Sequence, residues 1–287
     1  MSIENHSFRW TSASRSHPGR VREVNEDACL DQCEHELWAV ADGMGGHTLG
    51  EFASGLAVQG LMDLPAAEDL AHGSSDRADS EEIPSGDGVA LESPGLEQRV
   101  TAALDRLQEV NRRLRAEALR REVPLIGTTI AALVAAGNHC TCLWAGDSRI
   151  YLLRDRCLRQ LTRDHNHLEA ARSRYVSRSD DTLARPRKNW ITRALGGEDT
   201  LDIEQATVEL IDGDIFLLCT DGLSNEVSEL SIEQALLPGV CDWACETLLD
   251  MALGREARDN ITAVVVRAED LSSPDRTIVR ALESPSD

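Results

Sequence analysis

The chain has 287 residues, enough for one large domain or two small ones, with 41% apolar residues and few aromatics, so its core must come mainly from Leu, Val, Ile and Ala. A net charge of −21 argues against a general binder of nucleic acid or anionic membrane and suits a holder of divalent cations, although acidity alone is usually solubility. The polar N-terminus carries no apolar leader and no stretch is long enough to span a bilayer, which predicts a cytoplasmic protein without membrane insertion. Eight dispersed cysteines without a Cys-x-x-Cys pair predict reduced, mostly buried thiols.

Phe8 to Ala13 and Ala28 to Cys33 read as strands flanking a charged turn, Gly19 to Asp27. The apolar run Leu37 to Ala41 reads as a buried strand ending at Asp42, followed by glycines at 43, 45 and 46. Thr48 and Glu51 form a capping-box pattern for a helix ending near Met62, with Leu49, Phe52, Ala53 and Leu56 on one face. Ala66 to Gly95 holds eight acids against Arg77 alone and reads as an acidic, disordered insertion. Leu96, Val100, Ala103, Leu104, Leu107, Leu114 and Ala118 then mark a long amphipathic helix.

Three close-spaced strands follow, Ile130 to Ala136, Cys140 to Ala145 and Arg149 to Leu153, which the spacing predicts to be antiparallel neighbours joined by hairpins. Arg154 to Arg193 is a basic flap with eleven bases against five acids; a strand closes at Leu161 and a short helix is expected from Asp164. Ala206 to Leu210 and Ile215 to Thr220 read as strands, and Ser231 with Gln234 as the cap of a helix through Leu237. Trp243 to Leu253 reads as a helix stopped by Gly254, and Ile261 to Val266 as the last strand. One domain is expected over 1–270, with 271–287 as a tail.

The Gly-rich turn after Asp42 invites comparison with phosphate cradles. The dinucleotide fingerprint fails because Thr48 stands where the third glycine belongs, and a P-loop fails because Lys188 is the only lysine. An aspartate leading into bare backbone suits a hard cation. The pattern then repeats, with Asp42, Asp147, Asp221 and Asp259 each standing at an end of an expected strand. Carboxylates so placed are costly unless paired or metal-bound, so one sheet edge bearing all four is a metal site in prospect. All-oxygen ligands, including the Gly43 carbonyl, select Mg²⁺ or Mn²⁺, and no His/Cys set supports zinc. Two such ions ~3.5–4 Å apart activate a bridging water and clamp a phosphoryl group. Cys157 and Arg163 match the Cys-x5-Arg spacing of cysteine phosphatases, but the loop between them has no glycine to aim amides at a phosphate.

Together these stretches resemble the metal-dependent serine/threonine protein phosphatases, the type 2C family, in its bacterial form. The matching segments are Arg22 to Asp27, Asp42 to His47, Gly127 to Thr129, Ala145 to Arg149, Leu161 to His165, Ile191 to Gly196, Thr220 to Gly222 and Asp259 to Thr262. The resemblance implies an α+β fold, a four-layer αββα sandwich of two antiparallel sheets flanked by helices, with a dinuclear site at one end. It implies hydrolysis of phosphoserine and phosphothreonine in proteins by a metal-bridging water. Carried over, Asp42 bridges two Mn²⁺ or Mg²⁺ ions, the Gly43 carbonyl binds one, and Asp221 and Asp259 bind the other. Glu26 and Asp27 order waters, Asp147 helps hold a third ion, and Arg22 binds the substrate phosphate. His47, Asn260, Arg185 and Arg187 lie beside the metals or substrate.

Met44 stands where animal relatives carry a proposed histidine acid, which leaves a metal-bound water or His47 to protonate the leaving oxygen. Arg185-Pro186 replaces a His-Pro common in bacterial members. The compact length and the Cys142 to Arg149 segment resemble phosphatases associated with type VI secretion. For those, the implied partners are a serine/threonine kinase and a forkhead-associated protein, with the phosphatase a monomer. A partner-switching phosphatase of a small regulatory protein and a non-catalytic phosphatase-fold binding module are the alternatives.

Overall fold

The computed structural model describes residues 8–45, 48–62, 64–65, 94–166 and 191–272. The acidic insertion up to Ser93, most of the basic flap (including Arg185, Arg187 and Lys188) and His47 lie outside the described residues, while Pro94 and Gly95, expected to close the insertion, begin a helix.

In chain order the elements are β1 Phe8–His17, β2 Asp27–Gln32, β3 Leu37–Met44, α1 Thr48–Met62, α2 Pro94–Arg120, β4 Gly127–Thr128, β5 Ile130–Ala136, β6 His139–Ala145, β7 Arg149–Arg154 and β8 Cys157–Gln160. Then come β9 Glu204–Glu209, β10 Ile215–Cys219, α3 Asp221–Ser224, α4 Glu229–Leu236, α5 Cys241–Leu253 and β11 Ile261–Asp270. One antiparallel sheet has the order β1-β11-β10-β7-β8; the other has β2-β3-β5-β6-β9, with β4 paired to β3.

Three separate apolar clusters account for the layering. Trp38, Leu133, Cys142, Leu152, Phe216 and Val264 fill the space between the sheets. Leu37, Ala39, Leu61, Leu107, Leu114 and Ile130 join α1 and α2 to the second sheet. Tyr151, Leu217, Leu248 and Val265 join α4 and α5 to the first. Strands such as β5 are therefore buried on both faces, which is why they read as unbroken apolar runs and lack the alternation of half-exposed strands. The sandwich is four layers, as expected.

Several local expectations are corrected. β5 and β6 form a hairpin, but β6 and β7 do not: they belong to different sheets, and Gly146-Asp147-Ser148 is the crossing between them. Gly146 takes φ +118°, a conformation open to glycine, and so turns the chain out of its sheet. The helix after Val227 is capped by Ser228, whose hydroxyl accepts the Ser231 amide at 3.3 Å; Ser231 is its third residue and not its cap. Phe52 points outward beneath Arg121, whose guanidinium lies 6.0 Å from the ring centre. Asp164 begins no helix within the described residues, since Asn166 bridges to Ile191 instead.

Candidate metal centre and phosphate site

β3 carries Asp42 to the end of the sandwich, and β2 places Asp27 directly opposite it in the antiparallel register. Two carboxylates facing each other across a strand pair destabilise the sheet unless a proton or cation lies between them. Asp147 arrives on the crossing from β6 to β7, Asp221 on the first turn of α3 after β10, and Asp259 just before β11. The expectation of one sheet edge therefore needs revision: Asp42 comes from one sheet, Asp221 and Asp259 from the other, and Asp147 from the crossing between them. They meet at the end of the sandwich, around a cavity of about 800 Å³ with Glu26 in its wall and Arg22 and Asn260 beside them.

Close backbone packing makes this convergence possible. A Cβ on Gly43 would lie 2.0 Å from the Gly50 carbonyl oxygen, and one on Gly222 would lie 1.9 Å from that of Asn260. Asp42 is fixed from behind by Thr129, whose hydroxyl accepts the Asp42 amide at 2.9 Å while its own amide donates to the Asp42 carbonyl at 2.9 Å. Asp27 Oδ2 accepts the hydroxyls of Thr220 at 2.8 Å and Thr262 at 2.7 Å. Asn260 braces the Arg22 loop with three bonds: its Oδ1 accepts the Glu26 amide at 2.8 Å, and its Nδ2 donates to Pro18 at 3.0 Å and Val24 at 2.9 Å. Thr129, Thr220 and Thr262 stood inside or beside the quoted motifs, yet nothing in their spacing revealed which carboxylate each would hold.

The electrostatics are those of a site short of positive charge. Burial, then repulsion from Asp27, Asp221, Asp259 and Asp147, holds the Asp42 carboxyl well above the usual carboxylate range. By area Asp42 is only half-buried, because one side faces the cavity, but protein surrounds its other sides and desolvation dominates. Burial likewise pushes Asp27 and Asp147 up to about 7 and Asp221 up to about 6. Glu26 Oε1, Asp27 Oδ1 and Asp147 Oδ1 are buried with no hydrogen-bond partner among the described residues. Unsatisfied carboxylate oxygens of this kind, in an all-oxygen set, fit Mg²⁺ or Mn²⁺.

The carboxylates ring the cavity and do not close on one point: among the described residues no group of three or more His, Cys, Asp or Glu side chains is arranged to ligate a single ion. Like charges in low dielectric keep apart until a cation draws them together. Arg22, expected at the phosphate, turns its Nε and Nη2 onto the two oxygens of Asp259, each at 3.1 Å. Its side chain remains half-exposed at the cavity mouth, so the fork that grips Asp259 is within the same cavity a phosphate would enter.

A sandwich of two antiparallel sheets with carboxylates gathered at one end defines the class, and a protein-family model described as Protein phosphatase 2C matches residues 15–261. The chain belongs to the protein phosphatase 2C family. Among its relatives, serine/threonine protein phosphatase PstP of Mycobacterium tuberculosis is 35% identical over 262 residues, covering 90% of this chain and 45% of PstP, so the chain spans less than half of that relative. Serine/threonine phosphatase stp of Listeria monocytogenes is 32% identical over 262 residues, covering 89% of this chain and 94% of the relative. Of solved structures, PppA of Pseudomonas aeruginosa, described as a key regulatory component of the type VI secretion system, superposes with a TM-score of 0.76 at 39% identity, covering 90% of this chain and 97% of PppA. The PstP catalytic domain in complex with two manganese ions superposes at 0.70 with 32% identity, covering 92% of this chain and all of that one.

Proposed function

We propose that this chain hydrolyses phosphoserine and phosphothreonine in proteins, using Mn²⁺ or Mg²⁺ held at the end of the sandwich. One observation carries the reading: aspartates from both sheets surround a single cavity, several held near neutral pH in their titration by burial and mutual repulsion. Such an arrangement costs stability and is retained where cations are bound. Asp42 with the Gly43 carbonyl, Asp221 and Asp259 would hold two ions, and Asp147 a third. Bound there, divalent ions supply Lewis acidity that activates water and offsets phosphoryl charge. Glu26, in the cavity wall, and Asp27, behind Asp42 in the strand register, would order metal-bound waters through their buried oxygens. Arg22 exchanges its fork from Asp259 to two phosphoryl oxygens, a geometry that guanidinium matches bidentately. The leaving serine oxygen requires a proton; Met44 cannot give one, and His47 is the nearest candidate in the sequence.

The likeness to PppA supports a role in the control of type VI secretion; a serine/threonine kinase that it opposes and a forkhead-associated protein as shared target belong to this reading as proposals carried by the family resemblance alone. A non-catalytic module has no reason to keep every carboxylate. The test is hydrolysis of p-nitrophenyl phosphate and of a phosphothreonine peptide with Mn²⁺, with and without chelator. Turnover indifferent to the chelator would refute the cation reading; turnover of the small ester alone would refute the protein substrate.

A further inference from the structure

Asp147 sits on a crossing between sheets, where no strand partner fixes the backbone. Something else must hold it. On its C-terminal side the Ser148 hydroxyl bonds that of Thr129 at 2.8 Å. On its N-terminal side stands Gly146, where a Cβ would strike Thr129 Cγ2 at 2.6 Å, so this residue offers a partner only its backbone amide and carbonyl. Both of these groups, in the peptides on either side of the Gly146 Cα, are gripped by one residue. His165 donates its amide to the Gly146 carbonyl at 2.8 Å, and its Nδ1 accepts the Gly146 amide at 3.2 Å.

We infer that His165 is a positioning residue that sets the Asp147 carboxylate for a divalent cation by holding the Gly146 peptide on its Nδ1. The inference rests on the cation reading above. Accepting at Nδ1 places the ring proton on Nε2, which faces Glu204 Oε1 at 3.2 Å. Glu204 is held in turn by Arg193 Nη1 at 2.9 Å. Trp144 stacks on the ring at 6.2 Å and 18° between planes. The imidazole is thus fixed on its face, at both nitrogens and through its own amide, far more constraint than a buried space-filler needs. The same residue's carbonyl accepts the Thr192 amide at 2.7 Å, so the returning end of the basic flap is tied to the turn that presents Asp147. The arrangement follows the rule that residues behind a metal ligand orient it and tune its affinity.

The experiment titrates the metal-free protein with Mn²⁺ by calorimetry and needs no turnover. Asp147→Asn identifies the class of binding that depends on that carboxylate. His165→Leu keeps bulk and loses the acceptor; it should weaken that class by about three- to tenfold, the range one neutral hydrogen bond spans, and leave the other class unchanged. His165→Asn carries Oδ1 at the reach of Nδ1 and should stay within about twofold of wild type, since the same bond is kept. Wild-type affinity in His165→Leu, or equal losses in the Leu and Asn variants, would overturn the inference. Should His165→Leu not fold, Glu204→Leu removes the partner of Nε2 from the surface side, and an unchanged Mn²⁺ affinity there overturns it as well. A wild-type protein that binds no Mn²⁺ would sink the cation reading itself and this inference with it.

Discussion

Asp42→Asn should separate function from stability in a way that a purely structural aspartate would not. Asp42 faces Asp27 across the strand pair and is repelled also by Asp221, Asp259 and Asp147. The scale of the penalty follows from the strand register: two like charges about 5 Å apart across a strand pair repel by on the order of 3–4 kcal/mol at an effective dielectric near 20. Water in the cavity and local relaxation screen roughly half of this, leaving ~2 kcal/mol to be recovered when one charge is removed. For a chain of this size that is about 4–8 °C in Tm. The amide keeps the shape of the side chain and removes its charge.

The pH dependence has a definite sign. The folded-state values lie above the ordinary 3.8, so the native metal-free protein binds more protons than the unfolded chain between those limits. Its stability is therefore greatest below the unfolded value and falls as pH rises through about 6 to 7. Thermal unfolding in chelator should show Asp42→Asn melting above wild type at pH 8, with the gap narrowing towards pH 5. Mn²⁺ should stabilise wild type far more than the variant, and Mn²⁺-dependent turnover should vanish. A variant that melts below wild type at pH 8, or by a margin independent of pH, would refute the repulsion argument. Turnover above a few per cent of wild type would refute the role of Asp42 as a shared ligand.

Arg22→Ala should lower kcat/KM on phosphopeptides by roughly 10–100-fold, the loss of one charge-assisted fork, as read from steady-state kinetics. Mn²⁺ affinity by calorimetry should hold or rise, because Asp259 is freed; a collapse of metal binding would make Arg22 a structural partner. Asn260→Ala cuts three bonds to the Arg22 loop and should raise KM more than it lowers kcat, with a fall in stability of about 1–3 kcal/mol by denaturant unfolding. Reversing Arg185, Arg187 and Lys188 to Glu should impair acidic phosphopeptides far more than p-nitrophenyl phosphate, with the gap closing as salt shortens the Debye length from ~10 Å at 0.1 M. Equal, salt-independent losses on both substrates would show that these residues do not read the target.

Much of the fold was legible because the two faces of each sheet are buried differently. β5, β6 and β10 lie between a helix layer and the opposite sheet, so β5 and β10 are apolar throughout and β6 is interrupted only by Thr141 after its first residue. α2 is amphipathic because only one face meets the sandwich, and its stripe from Leu96 to Ala118 is buried as read except at Leu104, which is half-buried. What was not legible is which strand joins which sheet. A short Gly-Asp-Ser turn is written alike for a hairpin and for a crossing, and only Gly146 at φ +118°, packed on Thr129, decides between them. The N-cap at Ser228 was hidden by a second serine three residues on, with the same chemistry in the same hydrogen-bonding pair.

The candidate site divides along the same line. Its aspartates could be picked out because each interrupts an apolar run with a charge, a local signal. The roles of the residues that hold them could not, because Thr129, Thr220, Thr262 and His165 act on groups distant in sequence; Asn260 was placed beside the site, but its three bonds to the Arg22 loop were not legible. Thr220 and Thr262 meet on one oxygen of Asp27, a partner 193 residues from the first and 235 from the second. His165 braces Gly146 from across a strand pair, and its sequence motif gives no hint of the ring's direction. A threonine or histidine in such a position is common in any loop, so composition carries no information about it. The cavity thus has a legible inner ring, selected for charge, and an outer ring selected for hydrogen-bond geometry, which only the packed sandwich assembles. Asn260 joins the two. It lies one residue from Asp259 and reaches back to Pro18, Val24 and Glu26, so the carboxylate on β11's approach and the arginine that grips it are positioned by one side chain.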